Sequence, residues 1–206
     1  MSTLVLDTLE DRVTAKQSSV SALGNQWEVV GTASPSAASG LEFYHDGWEG
    51  TGSTAFVDGW EYRITGALFG STAGAYSTFK TYEPTVREAT NDYTTITDGY
   101  GSSAQQGNGT QNALGILNSL SWGTDAAHTV QFDITFFNLG STTYPLTCLS
   151  YGMTEINAGT AYAYSSATKT DDAGGNSETL ASSKIDLLAS GGTFSGDLVL
   201  WRRKAS

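Results

Sequence analysis

A chain of 206 residues with 39% hydrophobic and 11% aromatic side chains can bury a proper core as one domain with a modest extension, which excludes general disorder. Ten Lys and Arg against 21 Asp and Glu leave a formal charge of −11, a surface that repels phosphate backbones and anionic headgroups, so neither nucleic acid nor a membrane is expected as a partner. Cys148 is the single cysteine, so no intrachain disulfide or thiolate metal cluster can form.

The 24 Gly, with 3 Pro and abundant Ser and Thr, predict many tight turns between short strands and hence an all-β fold. Residues 1–25 stand apart. Thr3 to Leu9 is a short extended segment, and the polar run Thr14 to Ser21 reads as a linker. Two readings are open: a first strand of the main sheet, or an attachment arm that docks on a partner subunit through Leu4, Leu6 and Leu9. The opening MSTLVLDTLEDR lacks the basic stretch and apolar run of a secretory leader, so no export signal is expected. No segment approaches the ~20 apolar residues of a transmembrane helix.

From Gln26 to the end, residues 26–206, strand-like runs recur between turn residues. Gln26 to Thr32 and Leu41 to His45 come first. Trp60 to Thr65 alternates cleanly and places Trp60, Tyr62 and Ile64 on one core face. Ala75 to Tyr82 and Asp92 to Thr97 are rich in Tyr and Thr. Ala113, Leu114, Leu117 and Leu120 have helical spacing, but Gly115 and Asn118 interrupt them, so a buried strand or one short helix fits equally. Val130, Phe132, Ile134 and Phe136 alternate with Gln131, Asp133, Thr135 and Phe137, the clearest half-buried strand in the chain. Tyr144 to Tyr151, Thr160 to Thr168, Lys184 to Ala189 and Phe194 to Arg202 complete the set. Such a series of antiparallel strands in one domain predicts a two-sheet sandwich.

Chemistry-bearing constellations are sparse. A Ser-His-Asp device needs a histidine with an acidic orienter, and the candidates are His45 beside Asp46 and His128 near Asp125; no Gly-x-Ser-x-Gly elbow accompanies them. Two His and one Cys do not furnish a usual zinc site. Asp171-Asp172 before Gly174-Gly175-Asn176 offers oxygen ligands for a structural calcium ion, but first reads as a solvated hairpin turn. Asn108-Gly109-Thr110 matches the glycosylation sequon and is expected to be a turn. The expectation is a protein with no catalytic residues, no cofactor and no metal.

Two features suggest contacts instead. Trp48, flanked by Gly47 and Glu49-Gly50, sits in a turn-like stretch and is expected to be a surface-contact aromatic. Arg202, Arg203 and Lys204 hold three of the ten positive residues. They read as a solvated run, or as a subunit-contact tail that pairs with the acidic surface of a neighbour.

Four stretches carry a resemblance. MSTLVLDTLEDR resembles the opening of marine and cyanobacterial bacteriophage tail-fibre-like virion structural proteins, and Gln26-Trp27-Glu28-Val29-Val30 resembles the first strand of their C-terminal domain. Asn138 to Tyr144 is similar to their unit of strand, Ser-Thr-Thr turn and aromatic strand; Gly192 to Trp201 with the basic residues after it is similar to their closing strand and tail. Residues Glu83 to Gly123 carry no part of it. The resemblance implies a jelly-roll-like antiparallel β-sandwich with a short N-terminal arm, displayed on the virion surface. It implies a homotrimer held to other virion proteins through the arm, with a host surface glycan or protein as a further partner. A capsid decoration protein or head fibre, and in another class a stand-alone carbohydrate-binding module, are the alternatives.

Overall fold

The computed structural model describes residues 26–71, 77–83, 86–87, 93–100, 105–111, 114–115, 129–144, 146–157, 160–170, 181–189 and 191–205. Their secondary structure is strand alone, fourteen strands in two antiparallel sheets that form a β-sandwich. The larger sheet contains β1 (Glu28–Ala33), β4 (Trp60–Gly70), β7 (Tyr93–Tyr100), β8 (Gln105–Gln111), β10 (Val130–Phe137), β11 (Thr147–Asn157), β12 (Thr160–Thr170) and β14 (Phe194–Lys204), in the order β1-β14-β4-β10-β11-β12-β7-β8. The smaller contains β2 (Gly40–Tyr44), β3 (Gly47–Trp48), β5 (Ser77–Glu83), β6 (Val86–Arg87), β9 (Leu114–Gly115) and β13 (Ile185–Ala189), ordered β3-β2-β13-β5-β6, with β9 also on β5.

Every strand-like run expected from Gln26 onward overlaps a strand, and Thr3 to Leu9 lies outside the described residues. Val130, Phe132, Ile134 and Phe136 are buried on β10, as its pattern predicted. Tyr62 and Ile64 of β4 are fully buried, and Trp60 is half-buried against the same cluster. Phe43 of β2 and Ile185 and Leu187 of β13 close the core from the smaller sheet. Its aromatic centre is built edge-on: Phe43 lies 5.7 Å from Trp48 and 5.6 Å from Phe56, and Phe56 lies 4.7 Å from Tyr62.

A turn at Asn138 ends β10, and the strand expected from Tyr144 begins at Thr147. Asn138 takes a φ of +64°, which Asn tolerates better than most residues, and its carbonyl accepts from Ser141 N at 3.1 Å. Asn108-Gly109-Thr110 does not form the expected turn. It lies inside β8, where Ile96, Thr95 and Thr94 pair with it in register. Its composition disfavours strand; at a sheet edge the ladder to β7 supplies what propensity does not. Leu114 and Gly115 form the short β9, and Leu117 and Leu120 lie outside the described residues.

The turn after β2 is held by one carboxylate. Asp46 Oδ2 accepts from Thr54 Oγ1 at 2.6 Å, and its Oδ1 accepts from the amides of Ser53 and Thr54 at 2.9 Å each. The Thr54 hydroxyl, then the backbone donors, hold the carboxyl at about 2, below its ordinary 3.8. A depressed carboxylate adds stability above its ordinary value and loses it as pH falls toward the folded one. Asp46→Asn should therefore flatten the fall in melting temperature between about pH 4 and pH 2; an unchanged acid profile would show that the turn does not depend on this charge.

Candidate adhesion surface

The outer face of the larger sheet is built by an inversion on β11. Its inward positions carry small groups, Cys148, Ser150 and Gly152, all buried. Its outward positions carry Leu149, Tyr151 and Met153, exposed at 55%, 55% and 42%. Cys148, Ser150 and Gly152 stand opposite Phe136, Ile134 and Phe132 of β10. On the other side of β10, β4 sets the large buried residues Tyr62 and Ile64 opposite Phe136 and Ile134, so the bulk of the core lies toward β4 and thins toward β11. The large apolar residues of β11 face outward.

Around them the surface is mixed. Arg63 of β4 and Asp133 of β10 form a two-pronged ion pair, with Arg63 Nε donating to Asp133 Oδ1 at 2.8 Å and Nη2 to Oδ2. Both partners are about one-third exposed, at 34% and 37%, so the pair orders side chains more than it stabilises the fold, by roughly 0–1 kcal/mol. Trp27, ahead of β1, carries two guanidinium groups against its ring: Arg203 at 4.5 Å and Arg63 at 5.8 Å from the centroid. Trp27, Arg63, Asp133, Leu149 and Tyr151 line one shallow depression, and Met153, Gln131 and Val199 line part of a second beside it.

The residues singled out from the sequence fall elsewhere. Leu4, Leu6 and Leu9 lie outside the described residues, as do His128 and Asp171-Asp172. Trp48 is not a surface aromatic: it is 3% exposed, packs on Phe43 and donates its indole N–H to the Gly31 carbonyl at 3.2 Å. The glycines around it form a short hairpin arm that folds the ring inward, because the ring's area outweighs the turn-like character of its neighbours.

Arg202, Arg203 and Lys204 are not a tail. They continue β14 and pair in register with Tyr62, Glu61 and Trp60. Arg202 Nε binds Glu28 Oε1 at 2.5 Å and Arg203 Nε binds Glu61 Oε2 at 2.6 Å. These acidic partners sit within the same chain. Only the exposed Lys204, whose ammonium lies 5.8 Å from the Trp60 centroid, retains the solvated character expected of the run.

The adjacent pair His45 and Asp46 does not make an acid–base couple. Asp46 turns to Ser53 and Thr54, while the His45 ring is set between Tyr62 and Arg202. Among the described residues no three His, Cys, Asp or Glu gather as metal ligands would. Sequence reading missed Leu149, Tyr151 and Met153 as exposed groups, since large residues alternating with Ser and Gly normally point inward. The alternation of β11 carries no signal for it, since β4, the other neighbour of β10, places its large residues inward. No family model, curated protein or solved structure matches this chain.

Proposed function

We propose that the chain is a structural component of a bacteriophage virion surface, a tail-fibre-like knob that works by adhesion to neighbouring proteins and has no catalytic role. The single observation that supports this most is the outward row Leu149, Tyr151 and Met153. Large apolar side chains aligned on an open sheet face gain free energy only when another surface covers them, at ~25 cal/mol per Å². The Arg63–Asp133 pair at their side gives the covered face polar register. In this reading the sandwiches associate as a homotrimer through that face, and residues 1–25 hold the knob to other virion proteins. The jelly-roll-like wrapping and the virion setting follow from the resemblance at the two termini.

The test is assembly. At micromolar concentration, light scattering should find the purified chain oligomeric. The triple variant L149S/Y151S/M153S should associate at least tenfold more weakly, about 1.4 kcal/mol or more, with an unchanged melting temperature. A monomeric parent chain, or a variant that assembles as tightly, would end the proposal. Antibody labelling of intact particles should mark their surface.

A further inference from the structure

We infer that His45 is a proton-sensitive latch between the two sheets: as the neutral imidazole it holds Tyr62 and Arg202 together, and on gaining a proton it releases Arg202. His45 follows β2 of the smaller sheet, but both ring nitrogens are engaged by the larger one. Nδ1 lies 2.7 Å from Tyr62 Oη on β4, and Nε2 lies 3.1 Å from Arg202 Nη1 on β14. A guanidinium group has donors and no acceptor, so Nε2 must present its lone pair to Arg202. The ring proton of the neutral form is then on Nδ1, donated to Tyr62 Oη. Arg202 Nη1 also donates to the His45 carbonyl at 3.1 Å, which ties the same nitrogen to the backbone of the turn.

An added proton has one place to go. It must take the Nε2 lone pair, which sets N–H against N–H and cation against cation. Trp60 and Tyr62 flank the half-buried ring edge-on, 5.3 Å and 5.9 Å away between centroids.

Charged groups reach His45 from each side. Asp46 in its own turn and Glu28 on β1 favour the imidazolium; Arg202 on β14 opposes it. Lys204 stands beyond, over Trp60. Asp46 is already committed to Ser53 and Thr54, and Glu28 to Arg202 Nε. Burial first, and then the Arg202 charge, hold the imidazole below its ordinary 6.5. A histidine lowered in the folded state contributes stability that is complete above the ordinary value and is lost as pH falls from there toward the folded one. The end of the sandwich that carries the Asp46 turn and the last residues of β14 is therefore expected to loosen in mild acid, above the range where ordinary carboxylates titrate.

The test uses the whole chain. In an NMR titration, the histidine signal that disappears in His45→Gln should titrate below 6.5, and it should rise toward 6.5 in Arg202→Gln. Between pH 7.5 and pH 5.5 the melting temperature should fall in the parent chain. It should stay level in His45→Gln, whose amide oxygen can accept from Arg202 and does not titrate. A parent His45 that titrates at or above 6.5, or a His45→Gln chain with the parent's pH slope, would overturn the latch. If His45→Gln does not fold, loss of the other signal in His128→Gln assigns the remaining one to His45, and the parent and Arg202→Gln titrations then decide.

Discussion

Trp48→Ala will destabilise the sandwich by about 3–5 kcal/mol and lower its melting temperature by roughly 10 °C. The ring is nine-tenths or more buried, at 3% exposure, and meets Phe43 edge-on at 5.7 Å. Its indole N–H reaches the carbonyl of Gly31, where the ladder between β1 and β14 shifts register. A Cβ placed on Gly31 would stand 3.3 Å from the indole, so the backbone of β1 lies close against the ring that alanine would remove. Trp48→Phe separates the two contributions. It keeps most of the apolar contact and leaves the Gly31 carbonyl without this donor, at a cost of about 1–3 kcal/mol. Denaturant unfolding of the three proteins checks the order. Should the alanine variant prove as stable as its parent, the indole would have to lie at the surface, against the burial on which the core description rests.

Trp48 also marks where sequence reading fails. The backbone around it is glycine-rich and locally turn-like, and local signals do not report that the short hairpin arm folds the ring inward beside Phe43, its partner across the β2–β3 ladder. The strands themselves were legible. On β10 the alternation of Val130, Phe132, Ile134 and Phe136 with polar neighbours fixes type, phase and buried face at once. The same logic gives the wrong face on β11, where Leu149, Tyr151 and Met153 face outward and the small Cys148, Ser150 and Gly152 lie inward opposite Phe136, Ile134 and Phe132. Burial there belongs to a pair of strands, and no single strand encodes it. The acidic partners of Arg202 and Arg203 were illegible for a similar reason: Glu28 and Glu61 become their neighbours only once β14 lies between β1 and β4. Strand order likewise exceeds the sequence. The run β10-β11-β12 is a simple meander, whereas β14 inserts between β1 and β4, the first two strands of the larger sheet.

Gly196→Ala should cost about 3 kcal/mol and lower the melting temperature by roughly 10 °C, although it adds a single methyl group. Gly196 holds a φ of +146° in β14, opposite Leu68 of β4. A Cβ built there would lie 2.0 Å from the Ala67 carbonyl oxygen and 3.0 Å from a Leu68 methyl. The first obstacle is backbone, which cannot swing away as a side-chain tip would. Gly66 makes the reciprocal approach on β4, where a Cβ would stand 2.5 Å from the Asp197 carbonyl oxygen. The two glycines therefore bring β4 and β14 close together beneath the outer face of the larger sheet, next to Asp197 and Val199. Relief would require a shift of either strand and, with it, of the Leu198 and Leu200 side chains buried below. Gly191 supplies the internal control: nothing lies within 4 Å of its Cβ position, so Gly191→Ala should change stability by less than about 1 kcal/mol, in either direction. Urea midpoints with equal slopes measure both. Equal midpoints for the two alanine variants would mean that β4 and β14 do not approach as closely as described, and the order of strands beneath the outer face would have to be redrawn.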